Sequence, residues 1–223
     1  MVYNVSSSIL LGICDTDIIK DTKEGIDTGM AISYYSRMRL LSNLLPLLRQ
    51  SPRPRVELVL GAGTEKAILE HDLGLETNWT SGNMINHTIA MTSLALSYLA
   101  SKEENKNITF LHTGPGLVKT DILWKLTAPE DSSLGWRITL PLFKGFLGVM
   151  WHFMGISAEE SGERGAYHLT SDDFGPGASR VTPASEIIPL DSKRVVEKYL
   201  ESGLDSKVWE HTSGVFDKAL TRE

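Results

Sequence analysis

Asn83 and His87 stand four residues apart in a segment, 81–101, whose apolar stripe (Ile85, Ile89, Thr92, Leu96, Leu99) recurs at helical spacing. On a helix that separation places the amide and the imidazole on one face. Histidine is the side chain whose ordinary pKa brackets neutral pH. Facing a pocket, His87 can act as acid or base toward an enolisable ketone, so isomerisation, dehydration or cyclisation would need no cofactor. Asn83 carries no proton to transfer. The other reading of His87 is a hydrogen-bond partner of a neighbouring strand or loop. His112, just before Gly114-Pro115-Gly116, is read the same way, as a partly buried strand histidine. No metal is expected, because Cys14 is the single cysteine and no paired-histidine or clustered carboxylate–histidine spacing occurs.

These side chains need a scaffold, and hydrophobic period outlines one. Residues 8–13 (SILLGI) form a short apolar run, as expected of a buried parallel strand. From 27 to 48 the positions Ile32, Tyr35, Met38, Leu41, Leu44/Leu45 and Leu48 predict a helix, ended by Ser51-Pro-Arg-Pro. Residues 55–60 (RVELVL) predict a second strand, broken by Gly61-Ala62-Gly63, with a polar loop leading to the helix at 81–101. Residues 107–112 (NITFLH) alternate enough for a half-covered strand, and 159–170 and 204–220 predict further helices. Strands alternating with helices predict an α/β domain with a parallel, doubly wound sheet, and nothing marks a second domain.

The order of helix with Asn43-Leu-Leu-Pro-Leu-Leu48, strand, long loop, helix, strand and Pro115-Gly-Leu-Val-Lys-Thr120 resembles the short-chain dehydrogenase/reductase family from its fourth strand onward. Residues 31–48 look like the interface helix of that family, and Glu163-Arg-Gly-Ala-Tyr-His-Leu-Thr-Ser-Asp172 like its closing helix. The wording of YYSRMR, NLLPLL, HTGPGLVKT and VWEHT is most similar to a filamentous-fungal branch tied to secondary-metabolite gene clusters. The resemblance implies a partial Rossmann-like fold over 1–223 and an NAD(P)-dependent oxidoreductase of polyketide or terpenoid biosynthesis. It implies cofactor contacts at Pro115, Gly116, Val118 and Thr120, and a substrate-covering lobe at 124–157 with Trp124 and Trp136 as lid residues. Tyr34 and Tyr35 on the interface helix suit either a core or a partner subunit.

The departures from the family pattern carry more weight. A dinucleotide fold needs a glycine-rich turn at a helix N-terminus, so that backbone can approach the pyrophosphate. None of the 19 glycines falls in the family's Thr-Gly-x-x-x-Gly-x-Gly run. Gly61-Ala62-Gly63 is the nearest pair, at the position of the family's catalytic serine. Met1 falls a few residues before the equivalent of strand four, so an N-terminally truncated domain is expected. Asn83 and His87 occupy the positions of the catalytic tyrosine and lysine, and Ser33 that of the interface-helix asparagine. Hydride transfer is therefore not expected of the chain as it stands. The alternatives are a non-redox isomerase, dehydratase or cyclase using His87, or a pseudoenzyme that binds a metabolite or dimerises.

Composition narrows the partners. With 28 acidic against 22 basic residues and a net charge of −6, no basic stripe exists to displace phosphate counterions, so no nucleic-acid partner is expected. A cytoplasmic location is the simplest expectation. The apolar stretch 134–156 is interrupted by Arg137, Pro141, Lys144 and His152, each costly at mid-bilayer. Its aromatic residues suit either a cover over a small lipophilic metabolite or core packing between two short helices, ahead of membrane contact. A parallel sheet exposed along 8–13 would favour a homodimer or association through the interface helices.

Overall fold

The strand Thr109–Thr113 (β2) lies between Arg55–Val59 (β1) and Gly177–Val181 (β3), all parallel, in the order β1-β2-β3. The register sets Leu58 beside His112 and His112 beside Arg180. These strands belong to a computed structural model that describes residues 21–119, 134–191 and 194–221. The strand expected at 8–13 lies outside the described residues, as do Thr120, Trp124 and the first part of the expected lobe.

The sequence pattern suggested that β2 is covered on one face, but all five of its residues are buried. One cause is β3, whose sequence GASRV has no apolar run to announce it. The other is that helices cover both faces, as parallel sheets require. Phe110 packs with Leu96 and Leu99 on one side, while Leu111 meets Phe174 and Val181 on the other.

Among the described residues six helices surround the sheet. The first, α1 (Ser36–Leu48), continues from an α-turn at Thr28–Met30 through a π-helical turn at Ala31–Tyr35. A π-turn holds more residues than an α-turn and so shifts the stripe that follows. The buried set is therefore Met30, Tyr34, Tyr35, Met38, Leu41 and Leu45, and Ile32 faces outward. Tyr34 and Tyr35 lie inside the chain, where their hydroxyls meet Thr212 Oγ1 at 2.8 Å and His211 Nε2 at 2.7 Å. Neither offers a surface to a second subunit.

The central helix α2 (Ser81–Ala100) starts at Thr80, whose Oγ1 accepts the Asn83 amide at 3.0 Å. It is buried nearly all round, between the sheet and α6 (Leu204–Leu220). The helices α3 (Leu134–Met154), α4 (Ala158–Thr170) and α5 (Val195–Glu201) complete the domain. Ser157 caps α4 by accepting the Glu160 amide, with Glu159 and Glu160 complementing the N-terminal end of the helix dipole. Among the described residues no helix is long and apolar enough to cross a membrane. The architecture is a single α/β domain, a partial Rossmann-like sheet.

Candidate functional site

Ligands of open α/β sheets bind beyond the carboxyl ends of the strands. Here those ends are Gly61-Ala62-Gly63 after β1 and Gly114-Pro115-Gly116 after β2. The two turns touch, since a Cβ on Gly114 would stand 3.0 Å from Ala62 O. Gly116 has φ +67, the left-handed region that suits glycine. Beyond it, Val118 pairs with Ile156 through Lys119 N–H to Ile156 O and Ile156 N–H to Leu117 O, both 2.9 Å. The groups spent are those flanking Val118, so its own amide and carbonyl face the opposite side. Pro115, Gly116 and Val118 thus form a backbone ledge beyond the carboxyl end of β2. Thr120, the fourth residue of that set, lies outside the described residues.

Gly61-Ala62-Gly63 does not fit the phosphate end. The Gly63 amide donates to Glu65 Oε2 at 2.9 Å, so a carboxylate already occupies the place an anion would take. Gly61 lies against α2, where a Cβ would meet Ile89 Cδ1 at 2.9 Å. Among the described residues no group of three His, Cys, Asp or Glu side chains is arranged to hold a metal ion.

Asn83 and His87 share one face of α2 and are directed at the loop before that helix. Asn83 Nδ2 donates to Asn78 O at 2.8 Å. His87 is 1% exposed, and its Nε2 accepts the Leu69 amide at 3.0 Å. Nε2 therefore carries no hydrogen, and the proton sits on Nδ1, 3.3 Å from Leu73 O. Both ring nitrogens are engaged by loop backbone. Burial lowers the pKa of the ring, against the opposing pull of Leu73 O and the Asp72 carboxylate, so the neutral form is favoured. Asp72 organises the same loop, accepting from the amides of Glu76, Thr77 and Asn78 and from the side chains of Thr77 and Asn78. Burial opposes its ionisation, but these hydrogen bonds prevail and hold the carboxyl well below the usual carboxylate range.

His112, expected to be partly buried, is 1% exposed. Ser93 Oγ donates to Glu65 Oε1 at 2.9 Å and lies 2.7 Å from His112 Nδ1, which must then carry the hydrogen. Nε2 is left buried with no protein partner among the described residues. Burial first, then the cations of Arg180 and Arg37, push the imidazole down to about 3. Arg180 stands between Glu65, 3.5 Å away, and Glu197, which it contacts closely.

A second histidine cluster has no counterpart in the sequence-level candidates. His168 Nδ1 lies 2.7 Å from Glu57 Oε1, and His168 Nε2 lies 3.0 Å from Ser185 Oγ. Glu57, His168 and Ser185 come from β1, α4 and the turn after β3, with no local spacing to betray them. A cavity of about 380 Å³ adjoins Glu57 and His168, lined also by Thr113, Pro115, Arg164 and Pro183, two residues before Ser185. Of the expected lobe, α3 turns Leu142, Phe143, Phe146, Val149 and Phe153 outward. Pro141, Lys144, Gly145, Gly148, Val149, His152 and Phe153 also border a hollow of about 590 Å³.

No protein-family model matches the chain. It is similar to an oxidoreductase of Emericella nidulans, 32% identical over 91% of this chain and 65% of the relative. An NmrA-like family domain-containing oxidoreductase of an Aspergillus species is 33% identical over 90% of this chain and 60% of the relative. A short-chain dehydrogenase/reductase of Stachybotrys chartarum is 25% identical over 89% of this chain and 60% of its own length. The chain thus spans somewhat less than two thirds of the curated relatives it matches. With a parallel α/β sheet and this shared sequence over nine-tenths of its length, the chain is similar to short-chain dehydrogenase/reductase-like oxidoreductases of fungi.

Proposed function

We propose that this chain is an oxidoreductase-derived, metabolite-binding unit of fungal secondary metabolism that does not itself carry out hydride transfer. The observation that carries the reading is the state of His87. A catalytic lysine at that position lowers the pKa of a tyrosine one turn away and meets the cofactor. The imidazole found there spends Nε2 on Leu69 N–H and Nδ1 on Leu73 O. Asn83, at the tyrosine position, has no proton to give and donates its amide to the same loop. The engagement of both ring nitrogens also speaks against a non-redox isomerase, dehydratase or cyclase that would use His87 as its acid or base.

NADP or NAD, when bound, would supply a hydride donor or acceptor. Pro115, Gly116 and Val118 would hold its nicotinamide end through backbone groups. The Glu65 carboxylate at the Gly63 amide disfavours the pyrophosphate at the nearest glycine turn. The outward apolar face of α3 supports a small lipophilic metabolite as ligand, since such faces on soluble domains mark binding surfaces. The same face, with the exposed Leu40, Leu44 and Leu47 of α1, supports association with a second copy or a longer relative.

Calorimetric titration of the purified chain with NADPH and with NADH tests the reading. No saturable heat is expected for either nucleotide. Micromolar, one-to-one binding would overturn it.

A further inference from the structure

The geometry points to a second chemistry, a serine nucleophile at Ser185 activated by His168 and Glu57 and acting on short-chain carboxylic esters. It is independent of the reading of His87. Ser185, His168 and Glu57 form a linear relay: Oγ to Nε2 at 3.0 Å, then Nδ1 to carboxylate at 2.7 Å. Nucleophilic serine sites are recognised by this arrangement of serine, imidazole and buried acid, whatever their order in the chain. A carboxylate can only accept, so His168 presents Nδ1–H to Glu57 and leaves the Nε2 lone pair for the Ser185 hydroxyl proton. The side chains of Glu57 and His168 are each 6% exposed, which keeps water from competing for that hydrogen bond.

The surroundings hold the parts in place. Phe174 meets the His168 ring edge to face at 5.3 Å and fixes its plane. Ser185 follows the end of β3 by four residues and has φ +66, a left-handed conformation unusual for a residue with a side chain. Strain of this kind persists where the surroundings over-determine it, and it recurs at functional turns. Here Thr182 imposes it: its carbonyl accepts the Ser185 amide at 2.9 Å and its amide donates to Glu186 O at 2.8 Å. Arg164, one helical turn before His168, reaches the same turn through Pro183 O and lines the adjoining cavity of about 380 Å³. That volume suits a small ester, and the guanidinium, ion-paired with Glu160 Oε1 at 2.6 Å, borders the cavity.

In the reaction, Ser185 Oγ bonds to the ester carbonyl carbon while its proton passes to His168 Nε2. The carbonyl electron pair moves to oxygen. Collapse breaks the bond to the alkoxy group, which leaves as an alcohol with the proton from His168. Water, deprotonated by the same nitrogen, then releases the carboxylic acid and restores Ser185.

The test exposes the full chain to an alkyl fluorophosphonate bearing a fluorophore, where Ser185 Oγ bonds to phosphorus and fluoride leaves. Peptide mapping of the wild-type protein is expected to find the adduct on Ser185. The adduct should disappear in Ser185→Ala and form at least about 100-fold more slowly in His168→Gln. Hydrolysis of p-nitrophenyl acetate should fall in parallel. No adduct on the wild-type chain, or an adduct that persists in Ser185→Ala, would overturn the proposal. The wild-type result stands without reference to how either variant folds.

Discussion

His112 makes the stability of this fold depend on pH in a way that one substitution should reveal. The perturbation is a shift from pH 7.5 to 4.5, compared between the wild type and His112→Gln. In the native state burial, with Arg180 and Arg37 adding to it, pushes the imidazole down to about 3. In the unfolded chain it returns to about 6.5. A depressed histidine binds fewer protons folded than unfolded, so its contribution is intact above about pH 6.5 and is lost as pH falls toward the folded value. Between about 6.5 and 4.5 that is two units at about 1.4 kcal/mol each, or about 3 kcal/mol. Glutamine does not titrate. Urea unfolding of both proteins at the two pH values measures the effect, and titration of the carboxylates cancels in the difference. The wild type should lose about 3 kcal/mol more than His112→Gln. Parallel losses would refute the reasoning, because they would mean that the imidazole accepts a proton without unfolding.

Asp72→Ala removes the acceptor that organises residues 76–78 and should cost about 2–3 kcal/mol at neutral pH in urea unfolding. Since the folded carboxyl lies below its ordinary range, the gap from wild type should shrink as pH falls below about 4. Gly116→Ala places a Cβ at φ +67, 3.0 Å from Pro183 Cβ. It should lower the melting temperature by roughly 2–8 °C, from a strain of about 1–2 kcal/mol, and calorimetry would detect it.

Helices were the most legible part of the sequence, since α2 and α6 follow an apolar period that runs for several turns. Strand β1 was equally plain as a Val/Leu run before Gly61. Strand β3 was not legible, because Gly-Ala-Ser-Arg-Val is held by its register with β2 and not by hydrophobicity. The inward turn of Tyr34 was hidden as well, because a π-turn is set by local crowding and changes a stripe that looks regular in sequence. At the candidate site, the spacing of Asn83 and His87 correctly placed both on one face of α2. It could not show what that face meets, because Leu69, Leu73 and Asn78 belong to a polar loop without period. The cluster of Glu57, His168 and Ser185 was beyond reach for the same reason: its residues are joined by the order of the strands, not by spacing along the chain.

The central claim is that His87 is a structural imidazole, at the position where the resemblance would place a catalytic lysine. The direct measurement is the nitrogen-15 NMR spectrum of the His87 side chain, followed from pH 8 to 5 and assigned with His87→Gln. The account predicts a proton on Nδ1, an acceptor shift at Nε2, and a ring that titrates below the ordinary histidine range. A proton on Nε2, or a ring that titrates at or above its ordinary value, would contradict it.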